Sequence, residues 1–293
     1  MTVSGLVVVD KPAGVTSHDV VARVRRIAGT RKVGHAGTLD PMATGVLVLG
    51  INKATRLLGH LMLVEKTYDA TVRLGASTTT DDAEGEVTAT ASAAGVTEDA
   101  LRVALEAFRG EIQQVPSTVS AIKVNGKRAY KLAREGEEVV LQPRPVTIHD
   151  LTVSGVRREG DFLDVDLHVA CSSGTYIRAI ARDLGAALGV GGHLTALRRT
   201  EVGPFALEDA PLSLDEMQDT GELNLVTLAD VGERLFRNLR VDEKIAADIS
   251  FGRALDLALP VSGEPVAMLG PDGDLLALYE QRGTQAVPVA VLV

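Results

Sequence analysis

A single carboxylate, Asp40, lies in a glycine-rich segment that runs directly into a short apolar run at residues 46–51. Gly34 and Gly37 carry no Cβ, so a bulky ligand can approach this segment closely. Pro41 biases Asp40 away from the helical region, which predicts an extended residue at the edge of a loop. An ionised acid in such a place can act as a nucleophile, as a base or as a partner for developing positive charge.

The apolar run after Asp40 is typical of a strand that is buried on both faces. Thr44 and Gly45, which precede the run, indicate a turn. On these residues alone, the Asp-Pro pair is more typical of a turn that has no chemical role.

Elsewhere the spacing of apolar residues predicts helices and strands without a regular strand-helix-strand rhythm, which favours an α+β fold. Ser17 is predicted to cap a helix whose apolar stripe begins at Val20 and whose arginines fall largely off that stripe. Alternation at residues 163–169 is typical of a half-exposed strand. A second apolar stripe, at residues 177–188, predicts a helix with Arg178 at its start.

The end of the chain is predicted to form a small β-rich module. An acidic, helix-prone region at residues 214–239 is followed by the apolar runs ALDLALP, EPVAMLGPDGDLLALYE and AVPVAVLV, which turns separate. The expected division is one domain over residues 1–238 and a second over residues 239–293.

Length and composition set the class of protein. The chain has 293 residues, 45% of them hydrophobic, which is enough for a sizeable core. Cys171 is the only cysteine, so neither an internal disulfide framework nor a multi-cysteine zinc site can form. The first residues lack a basic leader, and no apolar segment approaches the roughly 20 residues that span a bilayer. A protein of the cytoplasm is expected.

The net charge of -9 conceals an uneven distribution. Residues 1–60 contain eight basic and three acidic side chains, whereas residues 61–120 contain four basic and ten acidic ones. Further basic residues are Lys123, Lys127, Arg128, Lys131, Arg134, Arg178, Arg182, Arg198 and Arg199. Such clusters are often only solvated faces, but a basic face on an acidic body also fits phosphate contacts and a steep salt dependence of binding.

Several blocks of the sequence together resemble one known family. GHAGTLDP followed by ATGVL, around Asp40, is similar to the catalytic motif of the TruB family of pseudouridine synthases. GLVVVDKPAGVTSHDVVARVR, KTYDATVRLGASTTTDDAEG, VPSTVSAIKVNGKRAYKLAREG, CSSGTYIRAIARDLG and HLTALRRTEVGPF are similar to the family's other motifs and follow in the family's order.

The resemblance implies a role for six residues. Asp40 matches the essential catalytic aspartate, and Arg178 matches the arginine that pairs with it. Tyr68 matches a tyrosine that stacks on the target base, Tyr176 and Leu197 match residues that line the uracil pocket, and His35 matches a histidine that fills the space of flipped nucleotides. From the residues alone, Arg178 would be a solvent-facing helix residue and Tyr68 a core residue.

The resemblance also implies the fold and the reaction. The expected fold has a mixed, largely antiparallel central sheet, followed by a C-terminal module of the PUA RNA-binding type. The expected reaction isomerises a uridine in the T stem-loop of tRNA, numbered 55 by convention, without metal, cofactor or guide RNA, in a monomeric enzyme.

Alternative functions are a tRNA-folding helper with secondary or no catalysis and a guide-RNA-dependent synthase, which would share the GTLDP motif. A hydrolase built on Ser17, His18 and Asp19 is rejected, because adjacent residues point in different directions.

Overall fold

The computed structural model describes residues 3–118, 123–124, 127–128 and 141–293. Contacts group the chain into two compact units. The first comprises residues 1–40, 45–62 and 202–293, and the second comprises residues 41–44 and 63–201.

The first unit is built on strands of almost continuous apolar sequence. β1 (Gly5–Lys11) pairs antiparallel with β3 (Thr44–Ile51), and β3 pairs antiparallel with β2 (Val33–His35). Val46–Val48 and their apolar neighbours in β3 are fully buried, which confirms the prediction of a strand covered on both faces. The predicted turn at Thr44 and Gly45 is wrong, because Thr44 already begins the strand and Gly45 pairs with Lys11.

The helix Ser17–Ile27 follows β1 and buries Val20, Val21 and Val24, as its apolar spacing predicts. Its N-cap is Thr16 and not the predicted Ser17. The Thr16 hydroxyl accepts from the backbone N–H of Asp19, and the Asp19 carboxylate accepts in return from the Thr16 N–H, which is a capping box. Ser17 is therefore the first residue inside the helix and is 1% exposed.

Short helices and strands complete this part of the first unit. In chain order they are the 3-10 helix Asn52–Leu57, the helix Leu58–Leu63, β13 (Phe205–Ala206), the 3-10 helix Leu207–Asp209, the helix Leu214–Thr220, β14 (Leu225–Val226) and the helix Leu228–Leu235. β14 pairs antiparallel with β1.

The C-terminal part of the first unit is a four-stranded sheet in the order β15-β16-β17-β18. These strands are Arg237–Arg240, Val266–Leu269, Leu275–Arg282 and Gln285–Val291. The helix Glu243–Ser250 contributes buried Ile249 to a core with Met268 and Tyr279. The β-rich prediction holds for the last two apolar runs, but ALDLALP forms only an isolated bridge at Leu255. The domain boundary at residues 238/239 stays a prediction.

The second unit contains five strands in the order β12-β4-β11-β10-β7, of which the pairs β4-β11, β11-β10 and β10-β7 are antiparallel. Its strands are β4 (Lys66–Leu74), β7 (Gly110–Gln114), β10 (Arg144–Glu159), β11 (Phe162–Cys171) and β12 (Gly192–Val202). In β11 every second residue is buried, which confirms the alternation seen in the sequence. β5 (Ala76–Thr78) and β6 (Val87–Thr90) form a separate ribbon.

Among the residues that the structure describes, the second unit has the helices Glu98–Glu106 and Ile177–Ala187. The second buries Ile177, Ile180, Ala181 and Leu184, as predicted. β8 (Lys123–Val124) and β9 (Lys127–Arg128) pair with each other. The predicted basic cluster at Lys123, Lys127, Arg128, Lys131 and Arg134 lies outside the described side chains. Within the part of the chain that the structure describes, no helix is long and apolar enough to cross a membrane.

Lys66 is a buried cation at the start of β4, with 7% of its surface exposed. Its ammonium donates to the backbone oxygen of Val64, and its strand neighbour in β11 is Cys171. Burial, with the nearby charge of Arg199, lowers the pKa of Lys66 to about 8. Burial also raises the pKa of the Cys171 thiol to about 11.

The lowered pKa of Lys66 predicts a stability that rises with pH. Between about pH 8, where the folded lysine loses its proton, and about pH 10.5, where the unfolded one does, the unfolded chain binds more protons. The free energy of unfolding of the wild type, relative to a Lys66→Met variant, should therefore increase across this window. Urea denaturation at pH 7, 8, 9 and 10 measures it.

The control for this experiment is Lys244→Met, because Lys244 is exposed. Its free-energy difference from the wild type should not change with pH. If the difference in free energy of unfolding between the wild type and Lys66→Met also stays constant from pH 7 to pH 10, the lowered pKa of Lys66 is contradicted.

Candidate active site

The segment around Asp40 connects two paired strands of the first unit. β2 ends at His35, which pairs with Leu49 of β3, and the Ala36 N–H then donates to the Val48 oxygen at 2.9 Å. Gly37 has φ +98°, a conformation that L residues rarely adopt, so the chain turns sharply there. Asp40 is partly exposed, whereas Leu39 beside it is 4% exposed.

Ser17 connects the first turn of the helix Ser17–Ile27 with this segment. Its hydroxyl donates to the Leu39 carbonyl at 3.1 Å and accepts from the Leu39 N–H at 2.9 Å. The neighbouring His18 ring lies edge-on to His35, with 5.6 Å between the ring centroids. His35 as a whole is partly exposed, but its Nδ1 is buried.

A cavity of about 500 Å³ lies in the second unit, over β12, β4, β11 and β10. Its wall includes Met42, Thr44, Asp69, Asp166, Leu197 and Arg198. The Arg198 guanidinium donates to the Thr44 hydroxyl at 3.3 Å. Met42 and Thr44 follow Asp40 by two and four positions in the chain. The cavity volume lies in the range of small-molecule sites.

Several polar side chains that line this cavity are bonded to neighbouring side chains. The Thr71 hydroxyl donates to Asp166 at 2.7 Å, and a hydrogen bond from Arg157 holds the pKa of the Asp166 carboxyl below its ordinary value. Asp69 pairs with His168 at 2.8 Å. With Met42 and Leu197 as its apolar surfaces, the cavity offers both stacking area and hydrogen-bonding groups.

Tyr68 and Tyr176 occupy different elements of the second unit. Tyr68 lies on β4, pairs across the sheet with Val169 and is 9% exposed. Tyr176 is the N-cap of the helix Ile177–Ala187 and is partly exposed. Its N–H donates to the Gln114 side chain at 2.8 Å, and its carbonyl accepts from the same side chain at 3.1 Å. Gln114 thereby fixes the Tyr176 backbone on both sides.

Arg178 is 4% exposed, so the alternative of a solvent-facing helix residue is wrong. Its guanidinium donates to the Thr80 carbonyl at 2.8 Å and pairs with Asp82 at 3.3 Å. One turn further along the helix, Arg182 pairs with Asp81 at 3.3 Å. Burial raises the pKa of the Asp81 carboxyl, an effect that the Arg182 charge opposes.

Asp82 is a functional candidate that the sequence reasoning missed. It is 3% exposed, and its carboxylate accepts from the Thr80 hydroxyl at 2.5 Å and from the Glu84 N–H at 3.1 Å. The residue stands in TTTDDAEG beside Asp81, and no apolar spacing distinguishes the two aspartates. A buried carboxylate with these partners orients the Arg178 guanidinium.

The six sequence-predicted residues are divided between the units. His35 and Asp40 belong to the first, and Tyr68, Tyr176, Arg178 and Leu197 belong to the second. Leu197 lines the cavity described above. The described ranges contain no group of three or more His, Cys, Asp or Glu side chains that could hold a metal ion.

Comparison with known proteins gives family matches over residues 25–293. Residues 25–177 match the N-terminal domain of TruB family pseudouridylate synthase. Residues 178–244 match the tRNA pseudouridylate synthase B C-terminal domain, and residues 236–293 match the C-terminal region of tRNA pseudouridine synthase II.

Two curated relatives named tRNA pseudouridine synthase B are similar over nearly their full length. The protein of Arthrobacter sp. is 59% identical over 98% of this chain and 96% of its own. That of Cutibacterium acnes is 55% identical over 99% of this chain and 98% of its own.

A solved structure, a chain of a Cbf5-Nop10-Gar1 complex, is 27% identical, with a TM-score of 0.75 over 99% of this chain and 85% of that one. The predicted α+β pseudouridine synthase fold, with its mixed central sheet and C-terminal β sheet, is thereby confirmed. The chain belongs to the TruB family of pseudouridylate synthases.

Proposed function

We propose that the protein converts uridine to pseudouridine at position 55, in the T loop of tRNA. The observation that carries the proposal is membership of the TruB family, with relatives of high identity that are named for this reaction on tRNA. The presence of Asp40, Tyr68 and Arg178 favours an enzyme over a protein that only assists tRNA folding.

The reaction breaks the bond between ribose C1′ and uracil N1, rotates the base and joins C1′ to C5. C5 loses its hydrogen as a proton and N1 gains a proton, so the product is an isomer and no electrons are exchanged. This balance requires no redox cofactor. A carboxylate that attacks the sugar or the base, or that stabilises positive charge on the sugar, suffices.

Asp40 is the proposed catalytic residue, and Arg178 is its proposed partner, which would keep the carboxylate ionised. Tyr68 would stack on the extruded base, a contact worth roughly 1–3 kcal/mol. Tyr176 and Leu197 would line the uracil pocket. His35 would occupy the space that the flipped nucleotides leave.

The first unit offers a surface for the phosphate groups of the RNA. We define a basic patch by Arg26, Arg31, Lys32 and Lys53, which are all exposed. The Asn52 N–H donates to the Lys32 carbonyl at 2.8 Å, which places Lys32 beside the segment that carries Lys53. No carboxylate among the described residues pairs with these four cations. Four cations without acidic partners can each neutralise a phosphate.

The other arginines of the helix Ser17–Ile27 have partners within the protein. Arg23 pairs with Asp215 at 2.9 Å, and Arg25 donates to the Val33 carbonyl at 2.9 Å. The proposed partner is the T stem-loop of tRNA, bound in the cytoplasm by a monomer that needs no guide RNA.

The proposed reaction is tested with unmodified tRNA and the purified protein, without metal, cofactor or guide RNA. Pseudouridine should form at the T-loop uridine. Asp40→Asn should slow the reaction at least about a thousandfold, because it removes the carboxylate, while tRNA still binds. Mapping of pseudouridine and a filter-binding assay measure both. Product at other uridines only, or unchanged turnover by Asp40→Asn, would refute the proposal.

The basic patch predicts a steep salt dependence of tRNA affinity in spite of the negative net charge. In a Lys32→Ala/Lys53→Ala variant, the slope of log K against log salt should become shallower by about one for each lost phosphate contact. Titrations between about 50 and 300 mM salt measure the slope.

The control for the salt titration is Arg102→Ala, which removes an exposed cation outside the patch and outside the C-terminal module. Its slope should equal that of the wild type. A slope unaffected by the patch variant would show that the patch makes no phosphate contacts.

A further inference from the structure

The hydroxyl of Ser17 makes two hydrogen bonds with one residue, Leu39, which lies 22 positions away. It accepts from the Leu39 N–H at 2.9 Å and donates to the Leu39 carbonyl at 3.1 Å. Both residues are buried. A hydroxyl can serve one backbone residue in this way because it donates and accepts at once.

The helix turn that contains Ser17 is itself fixed by hydrogen bonds and by packing. The capping box between Thr16 and Asp19 fixes the turn in which it lies, and the hydrogen bonds from Thr16 hold the pKa of the Asp19 carboxyl below its ordinary value. Buried Val20, Val21 and Val24 anchor the rest of the helix. The hydroxyl therefore stands on a rigid element rather than on a loop.

Leu39 is the residue immediately before Asp40. Its carbonyl belongs to the peptide group that carries the Asp40 nitrogen, so the Ser17 hydrogen bond fixes the orientation of that peptide plane. Pro41 restricts Asp40 from the other side. The backbone of Asp40 is thus constrained on both sides, although its side chain stays partly exposed.

We propose that Ser17 is a positioning residue for the Asp40 carboxylate. This inference rests on the proposed role of Asp40 in catalysis and adds that the Ser17 hydroxyl orients the backbone that carries the carboxylate. Without the hydroxyl, the buried N–H and carbonyl of Leu39 would lose their partner, and the loop would shift to find others. A displacement of about 1 Å at a catalytic group can slow a reaction about a hundredfold.

The test is single-turnover pseudouridine formation on tRNA that is already bound. Ser17→Ala should lower the rate of this step by about 10- to 100-fold, while the Kd for tRNA stays within about twofold of the wild-type value. Ser17→Cys nearly preserves the volume and replaces the hydroxyl by a weak donor and acceptor, so it should give an intermediate rate.

A control separates positioning from general stability. Thr227→Ala removes the capping box of the helix Leu228–Leu235, where the Thr227 hydroxyl bonds Asp230 much as Thr16 bonds Asp19. This variant should lose thermal stability but keep the wild-type single-turnover rate. Equal slowing in Thr227→Ala and Ser17→Ala would overturn the proposal, because it would reflect lost stability alone.

Asp40→Asn distinguishes failure of this inference from failure of the proposed function. If Asp40→Asn is inactive while Ser17→Ala and Ser17→Cys both react at the wild-type rate, the positioning role is wrong and the role of Asp40 stands. If Asp40→Asn converts tRNA at the wild-type rate, Asp40 is not the catalytic residue. Ser17 then has no catalytic carboxylate to position, and the positioning role is also wrong.

Discussion

Two side chains proposed to meet the nucleotide, Asp40 and Tyr176, stay partly exposed, so burial does not fix them and hydrogen bonds to the backbone take its place. In the first unit the Ser17 hydroxyl binds both backbone groups of Leu39, the residue before Asp40. In the second unit the Gln114 amide binds both backbone groups of Tyr176. In each case a buried polar side chain acts on a segment far away in sequence. Each such bond contributes only about 1 kcal/mol, but its loss would leave buried backbone groups unsatisfied.

Arg178, a buried cation of the second unit, is likewise fixed by its hydrogen-bonding partners. A guanidinium as enclosed as that of Arg178 is costly unless its charge is paired and its N–H groups are bonded. Asp82 supplies the charge and the Thr80 carbonyl a further acceptor. Asp82 is bonded in turn by Thr80 and Glu84. Such a network adds little net stability, but it allows few alternative orientations of the arginine.

The sequence predicts well the elements whose apolar spacing is set by burial, such as the strand after Asp40 and the helix that begins at Ile177. It predicts less well which of two adjacent residues with similar side chains makes a given contact. Thr16 caps its helix, and the next residue, Ser17, bonds to Leu39, which is 22 positions away. Asp82 pairs with Arg178, and its neighbour Asp81 pairs with Arg182. The Thr16 cap does have a local signal, because Asp19 follows it by three positions, whereas nothing local separates the two aspartates.

The net charge of the whole chain says little about where the protein can bind a phosphate group. At physiological ionic strength, exposed charges more than about 8 Å apart are largely screened from each other. A phosphate beside Lys32 and Lys53 would therefore respond to the cations near it rather than to the net charge of -9. Arg23 and Arg25, which the sequence groups with them, are already bonded to Asp215 and Val33. The capacity to bind a polyanion thus depends on which cations lack an internal partner, and that follows from the fold rather than from composition.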